Sequence, residues 1–272
     1  MIISAFSSFN WFEIFLITSL ATCLWYYLVC GGLYLFLVYN SKKVAKWKTQ
    51  MIWPSKQTAW KELRDGTIAT LAAALNISLS IYFANKGWNK LYGTFTQYSL
   101  SYTILSFVLM FLAVETFEWW FHWFSHKNRT LWKIHKDHHY YPNPSPLAVM
   151  SDHPLDMWVK SSPLLWIPFL FPILDTTLVG WFTFVNFFYG IYLHAGFEFP
   201  YLPSRNSKYL VSSWHHNVHH SLHIAKNFGF FTGILDICFG TRYCPEDESK
   251  RQHRVKTAKA TREQTFGQQT LV

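Results

Sequence analysis

Uncharged stretches long enough to cross a bilayer constrain this chain more than any other feature. Residues 14–41 contain no charged side chain. An α-helix rises about 1.5 Å per residue, so this run can span a hydrocarbon core of about 30 Å. Runs at 66–85 and 91–114 predict two further spans. A fourth region, 161–197, predicts a hairpin that turns at Asp175, with a first limb that is short for a span. The chain is therefore predicted to be all-α and polytopic, with about four transmembrane helices.

The composition agrees with a membrane class. Half of the residues are hydrophobic and only 14% are charged, against about 25% in soluble domains. The mean hydropathy is marginally positive, which leaves room for a polar helical cap beside the spans. We divide the chain into an N-terminal transmembrane region (1–100), a catalytic region (101–245) and a polar, basic tail (246–272) that is expected to be flexible.

The distribution of positive charge predicts the orientation. The first 41 residues contain no Lys or Arg, whereas the stretch 42–64 carries seven. By the positive-inside rule this stretch is cytoplasmic, and following the spans places residues 122–139 and 215–223 on the same face. The net charge of +9 lies beside apolar spans, so an anionic membrane surface is the expected partner and nucleic acid is not. We expect a multi-pass protein of the endoplasmic reticulum if eukaryotic, or of the inner membrane if bacterial, with a cytosolic active site.

Histidines supply the candidate chemistry. Twelve of the 13 histidines lie between residues 122 and 223. Three sets have helical spacing, in which positions i, i+3 and i+4 share one face. These sets are His122 and His126; His135, His138 and His139; and His216, His219 and His220. Three helical segments are therefore predicted to direct eight imidazoles toward a common centre.

Eight nitrogen donors exceed the four ligands of a tetrahedral zinc site and suit two metal ions that keep open positions. Imidazole accepts iron, zinc, copper or nickel, so spacing alone does not select the metal. A zinc protease of the HExxH type is excluded, because Trp-Phe-Ser separates His122 from His126. His153 and His253 are more simply interpreted as structural histidines. Glu118 shares a helix face with His122 and could orient its ring.

The chain contains three histidine boxes in the order HxxxH, HxxHH and HxxHH, with predicted spans between the second box and the third. These boxes resemble those of the fatty acid hydroxylase/sterol desaturase superfamily. The resemblance covers about residues 105–243. It extends to His153-Pro154-Leu155-Asp156, to the segment from Asn186 to His194-Ala195-Gly196, and to Asn227-Phe228-Gly229 followed by Asp236 and Phe239-Gly240-Thr241. The His-Pro-Leu-Asp element and residues 182–186 look most like C-5 sterol desaturases.

The resemblance implies a non-haem di-iron centre on the cytosolic face. Its implied ligands are His122, His126, His135, His138, His139, His194, His216, His219 and His220. Related hydroxylases carry a further histidine where this chain has Gly190, so His215 and His223 are second-tier ligand candidates. Asp137 and Asp156 join Glu118 as candidates for holding the imidazole tautomers. No catalytic residue beyond the metal ligands is expected, because the metals perform the difficult step.

The implied activity is hydroxylation or desaturation of a lipid C–H bond with O₂. The lipid would enter from the bilayer through a cavity walled by Trp119, Trp120, Trp123 and Phe187. An external donor, such as cytochrome b5 or a ferredoxin with its reductase, would supply electrons. A sterol-like substrate is favoured, and a fatty-acyl, sphingolipid or alkylglycerol substrate is the alternative. A membrane metal-binding or transport protein is the alternative from another class.

Overall fold

In a computed structural model, the protein is described for residues 2–50, 52–222 and 225–252, apart from the side chain of Asn186. It is built mostly of helices. The α-helices are α1 (Ile2–Ala5), α2 (Trp11–Tyr26), α3 (Gly32–Tyr39), α4 (Ser41–Val44), α5 (Lys56–Asn85), α6 (Leu100–Lys127), α7 (Arg129–His135), α8 (Pro154–Lys160), α9 (Pro163–Leu170), α10 (Asp175–Gly180), α11 (Phe187–His194), α12 (Ser213–Leu222) and α13 (Ile234–Cys238). Short strands β1 (Leu91–Tyr92) and β2 (Ile173–Leu174) pair in parallel, with Leu91 opposite Ile173.

Two of the long helices are continued through π-helical turns, Tyr27–Gly31 between α2 and α3 and Trp181–Asn186 between α10 and α11. Three 3₁₀ turns lie at Ala45–Trp47, His138–Tyr140 and Pro146–Met150. Four helical segments are long and apolar enough to cross a membrane, and they confirm the predicted number of spans. These segments are Trp11–Tyr39, Lys56–Asn85, Leu100–Lys127 and Asp175–His194.

The predicted boundaries need two corrections. The third span was expected at 91–114, but α6 begins at Leu100, where Ser99 caps it by accepting a hydrogen bond from the Tyr102 N–H at 3.2 Å. It then continues past residue 114 to Lys127 and carries the HxxxH box on its last two turns. The predicted hairpin does turn at Asp175, and its first limb is only the eight-residue α9 followed by β2.

Helices α2 and α5 pack antiparallel and form one wall of the helical assembly. The Tyr26 hydroxyl, on α2, donates to the Leu147 carbonyl at 2.9 Å and lies against Gly66 of α5. A Cβ at Gly66 would lie 2.2 Å from the Tyr26 hydroxyl oxygen, so glycine is required for this approach. At the other end of α5, the Asn85 amide donates to the Phe6 carbonyl at 2.8 Å.

Side-chain hydrogen bonds connect α5 to α8 and to the residue that follows it. The Asn76 amide donates to the Trp158 carbonyl at 2.7 Å and to the Ser161 hydroxyl at 2.8 Å, which fixes α8 and the start of α9 against α5. A buried apolar cluster from α6, α9, α10 and both strands lies beside these helices. Its members are Leu91, Met110, Val114, Leu164, Ile167, Ile173, Leu178 and Trp181. The cap segments that carry histidines are therefore held on a fixed helical frame.

Candidate metal centre

Nine histidines converge in two adjacent groups, and within each group the candidate ligand atoms all lie within 4.8 Å of one another. The five-histidine group contains His122, His126, His135, His139 and His219. The four-histidine group contains His138, His194, His216 and His220. All nine ligands implied by the family resemblance are thus brought together, which makes them the residues that could hold two metal ions.

The histidines of each HxxHH box are divided between the two groups. His135 and His139 belong to the five-histidine group, whereas His138 belongs to the four-histidine group. In α12 the assignment is reversed, because His216 and His220 enter the four-histidine group and His219 enters the other. Helix α7 also ends at His135, so His138 and His139 lie on a separate 3₁₀ turn rather than on one continuous helix.

The distances between ring nitrogens suit metal ligation. In the four-histidine group, the Nε2 of His216 lies 2.9 Å from that of His194 and 3.1 Å from that of His220. In the five-histidine group, the Nε2 of His219 lies 2.9 Å from that of His122 and 3.1 Å from that of His139. Two nitrogens about 2.1 Å from one metal are about 3.0 Å apart at a right angle and about 3.4 Å apart at the tetrahedral angle.

Buried nitrogens without a protein partner point to the same conclusion. Within the described residues, the Nε2 atoms of His126 and His135 are buried and have no hydrogen-bond partner. Burial lowers the pKa of His219 to about 3 and that of His216 well below its usual value, so these rings remain neutral. Neutral imidazoles with inward lone pairs are the form that binds metal cations. The donor set therefore fits two metal ions.

Backbone carbonyls orient two rings of the five-histidine group. The Nδ1 of His122 lies 3.0 Å from the Phe228 carbonyl oxygen, and the Nδ1 of His219 lies 2.7 Å from that of Lys226. The Phe228 carbonyl thus contacts the Nδ1 of His122, and the role of Glu118 toward His122 stays a prediction. The side chain of Glu118 lines the cavity described below.

The Phe228 carbonyl is itself held by a buried carboxylate. Asp236 accepts hydrogen bonds from the backbone N–H groups of Phe228 and Gly229, both at 2.9 Å, and from the Trp119 indole at 3.1 Å. A Cβ at Gly229 would lie 2.2 Å from the Thr232 carbonyl oxygen, which explains why glycine follows Phe228. The Asn-Phe-Gly and Asp elements of the sequence thus act together to position His122.

Carboxylates orient one ring in each group. Asp156 lies 2.9 Å from the Nδ1 of His135, in agreement with its predicted role. Asp137 is exposed, and its role toward a histidine stays a prediction. Asp152, which sequence reasoning missed, lies 2.8 Å from the Nδ1 of His138. The i, i+4 spacing of Asp152 and Asp156 beside the His-Pro-Leu-Asp element was a signal that could have revealed it.

Lys160 completes this arrangement. Its ammonium lies 2.9 Å from Asp152 and 3.1 Å from Asp156, and the side chain of Lys160 is 24% exposed. Burial disfavours the charged form of Asp156, but Lys160 and His135 outweigh it and hold the pKa of Asp156 well below its usual value. Burial likewise opposes the charge on Lys160, and the two carboxylates raise its pKa above the usual value. Both groups therefore remain charged.

Three other predicted positions have different outcomes. His194 enters the four-histidine group, and its Nδ1 lies 2.7 Å from the carbonyl oxygen of Gly190. His215 lies outside both groups, because its Nδ1 accepts a hydrogen bond from the Ser212 N–H at 3.1 Å. His153 caps α8 by accepting from the Leu155 N–H at 3.2 Å, in agreement with a structural role. His223, His253 and the tail after residue 252 lie outside the described residues.

A cavity of about 480 Å³ reaches the metal centre. Its wall includes His122 from the five-histidine group and His138, His194 and His216 from the four-histidine group. The rest of the wall is largely apolar and follows α5 from Thr70 to Ile81, a distance of about 16 Å along the helix axis. Of the aromatic walls that were predicted, Phe187 lines the cavity. Trp119, Trp120 and Trp123 stack on one another instead.

Comparisons with known proteins agree with this geometry. The sequence model of the fatty acid hydroxylase family matches residues 107–241. A Delta(7)-sterol 5(6)-desaturase of Aspergillus fumigatus is 30% identical over 188 residues, which cover 69% of this chain and 51% of the relative. A Delta(7)-sterol 5(6)-desaturase of Schizosaccharomyces pombe is 31% identical, over 55% of this chain and 48% of the relative. The human lathosterol oxidase is 28% identical, over 56% and 50% respectively.

The chain belongs to the fatty acid hydroxylase/sterol desaturase superfamily. Within that class it is similar to C-5 sterol desaturases, the group to which these relatives' names point. The matched region spans about half the length of these three relatives. No solved structure matches the chain significantly.

Proposed function

We propose that this chain is a membrane-bound non-haem di-iron oxidoreductase that hydroxylates or desaturates a lipid C–H bond with O₂. The observation that carries the proposal is the shared cavity. Four of the nine histidines open onto the same apolar space, whose other wall follows a candidate transmembrane helix. A lipid lying in that space would place a C–H bond beside both histidine groups.

The reaction balances with reagents of known class. Desaturation converts –CH₂–CH₂– and O₂, with two electrons and two protons, into –CH=CH– and two molecules of water. Hydroxylation consumes the same reagents and yields an alcohol and one water. Bound iron would supply the O₂ activation and the oxidising power that no side chain has. We propose that the two electrons come from NAD(P)H through a small carrier, either cytochrome b5 or a ferredoxin with its reductase.

The protein's own residues bind, orient and exclude water. The nine neutral imidazoles would hold the two ions, and carboxylates and carbonyls at Nδ1 fix the direction of five rings. The apolar wall of the cavity keeps the reacting carbon away from bulk water, which protects strongly oxidising chemistry from side reactions. The ionisable side chains of Glu118, Asp152 and Lys160 line the same cavity as the histidines.

A sterol-like substrate is favoured within this reaction class. Its support is the similarity to relatives named for sterol 5(6)-desaturation and lathosterol oxidation. A rigid ring system of about the length of the cavity would fit the 16 Å traced along α5. A fatty-acyl, sphingolipid or alkylglycerol substrate remains the second candidate, because the apolar wall also suits a flexible chain.

We further propose that the active site faces the cytosol, in the endoplasmic reticulum or the bacterial inner membrane. The supporting observation is the basic stretch 42–64, which the positive-inside rule assigns to that side. A membrane metal carrier, the alternative from another class, would need ionisable residues along a path through the spans. Here His122, His126 and His194 lie at the ends of candidate spans, and the other six group members lie outside them.

Lipid profiling of cells with and without the chain tests the proposal. We expect one lipid class to gain a double bond or a hydroxyl group, with iron bound to the purified protein. His216→Ala removes a proposed ligand and should abolish the change in the lipid profile. Its matched control is His215→Ala, which removes a neighbouring histidine outside both groups. An unchanged lipid profile in the presence of O₂, a reductant and iron-loaded protein would overturn the oxidase assignment.

A further inference from the structure

Lys160 is the one cation in direct contact with both carboxylates that hold metal-group histidines, within the described residues. Its Nζ lies 2.9 Å from Asp152 and 3.1 Å from Asp156. The exposed fractions of the Asp152 and Asp156 side chains are only 1% and 0%. Each carboxylate also contacts the Nδ1 of a histidine, His138 for Asp152 and His135 for Asp156. Those histidines belong to different groups.

The short helix α8 creates this arrangement. His153 caps the helix and Pro154 is its first residue, so α8 begins two residues after Asp152. Asp156 lies in the first turn and Lys160 is the last residue, one helical turn further along the same face. A cation at the C-terminal end is also favoured by the helix dipole. Helix α8 thus places the Lys160 ammonium in contact with the carboxylates of both Asp152 and Asp156.

Without that ammonium, the two carboxylates would be close like charges in a buried site, which is unfavourable. The repulsion would be relieved by protonation of one carboxylate, by its movement, or by a change in its hydrogen bonding. Each response would weaken its contact with the ring that it holds. An oriented acceptor at the second ring nitrogen sets the tautomer and direction of a metal-ligating histidine.

We infer that Lys160 is a positioning residue that joins the two metal groups, acting through Asp152 on the four-histidine group and through Asp156 on the five-histidine group. This inference rests on the proposed metal-dependent function and is independent of the identity of the lipid. It makes Lys160 a common support for two ligands that share no other hydrogen-bond partner in the part of the chain that the structure describes. Lys160 and Asp152 also line the cavity, so this arrangement borders the proposed substrate space.

The test measures metal binding by the full-length protein in detergent, independently of turnover. Chelator-stripped protein is titrated with iron(II), and bound metal is counted per chain. We expect Lys160→Met to weaken binding of both metal equivalents about 10- to 100-fold, the usual effect of losing such support. Asp156→Asn should weaken mainly one equivalent, and Asp152→Asn mainly the other. Lys160→Arg should restore much of the affinity, because it keeps the positive charge.

Two further variants separate positioning from general stability. Lys61→Met removes a partly buried i, i+4 lysine–aspartate pair elsewhere on the protein and should leave metal affinity unchanged. In an Asp152→Asn/Asp156→Asn background, Lys160→Met should add little, because its effect passes through the carboxylates. Lys160→Gln keeps a donor and serves where Lys160→Met does not fold. Wild-type affinity in Lys160→Met and Lys160→Gln, or an undiminished loss in the double-Asn background, would overturn the inference.

Failure of this inference is distinguishable from failure of the proposed function. If wild-type protein binds two metals and oxidises a lipid while the Lys160 variants bind metal normally, only the role of Lys160 is lost. If the variants lose metal as expected but no lipid is oxidised, the positioning role stands and the oxidase assignment fails.

Discussion

The five-histidine and four-histidine groups differ in how their rings are supported. In the five-histidine group, two rings are fixed by the carbonyls of Phe228 and Lys226 and one by a carboxylate. In the four-histidine group, His138 contacts a carboxylate and His194 a carbonyl, while the buried Nδ1 atoms of His216 and His220 have no partner among the described residues. The five-histidine group therefore has two carbonyl supports among the described residues, and the four-histidine group has one.

The groups also differ in access. Three of the four histidines in the smaller group line the cavity, compared with one of five in the larger group. At the same coordination number, a metal in the smaller group would retain one more position for other ligands. We infer from this difference that the four-histidine group lies nearer to the reacting carbon, whereas the five-histidine group is the more firmly built support.

Removing one ligand from each group gives the largest expected contrast. His216→Ala would leave three histidines in its group, and His126→Ala would leave four in the other. We expect His216→Ala to lose one metal equivalent almost completely and to lose more activity than the about 10- to 100-fold typical of losing ligand support. His126→Ala should retain part of its metal. Equal losses in metal content, measured by elemental analysis, would contradict the difference between the groups.

Narrowing the cavity tests access separately from metal binding. Ala73 is buried on α5 and lines the cavity, so Ala73→Leu fills space that the substrate would need. We expect kcat/KM to fall about 10-fold or more, the scale of a methylene-sized change in an apolar pocket, with normal metal content. Ala72→Leu, on the adjacent position of the same helix, is the control. Unchanged kinetics in Ala73→Leu would place the substrate elsewhere.

Crowding the backbone behind His194 should weaken the four-histidine group to a smaller extent. A Cβ at Gly190 would lie 2.9 Å from Val149 Cγ2, and the Gly190 carbonyl contacts His194. We expect Gly190→Ala to cost about 1–3 kcal/mol of stability and to lower metal occupancy in that group. Gly180→Ala is the matched control, since its Cβ would meet nothing within 4 Å. If Gly190→Ala and Gly180→Ala have identical thermal unfolding and metal content, the expected weakening of the four-histidine group is wrong.

The smallest effect is expected at His215, which lies in the HHxxHH sequence but outside both groups. His215→Ala should leave the metal content unchanged. It should reduce the free energy of unfolding by about 1 kcal/mol, because the ring's hydrogen bond with Ser212 is lost. Denaturation in detergent measures the stability, and elemental analysis measures the metal. Loss of a metal equivalent would instead make His215 part of the centre.

The crowding at Gly190 explains a departure from related hydroxylases, which carry a histidine at this position. A histidine at position 190 was the ligand that the sequence lacked, with His215 and His223 as candidates to replace it. The added Cβ at Gly190 would collide with Val149, so the chain has no room for that ring. Each group is already formed by at least four histidines without His215. The apparent gap in the sequence is therefore a difference in packing rather than a missing ligand in either group.

The sequence by itself indicated the membrane-spanning character and eight of the nine converging histidines, whereas His194 was implied by the family resemblance, and Asp156 was one of three carboxylate candidates. The first two follow from local properties, namely uncharged length and box spacing. Residue types at fixed short spacings carry such information because helix geometry translates spacing directly into direction.

Only the tertiary structure decided how the histidines divide. Successive residues of a helix differ by about 100° in direction, so the adjacent histidines of an HxxHH box point apart and can serve two centres. Which centre each one serves depends on where α6, α7, α11 and α12 meet. The supports from the Phe228 and Lys226 carbonyls were hidden from the sequence, because backbone carbonyls leave no residue signature and contacts between segments exist only after the helices have packed.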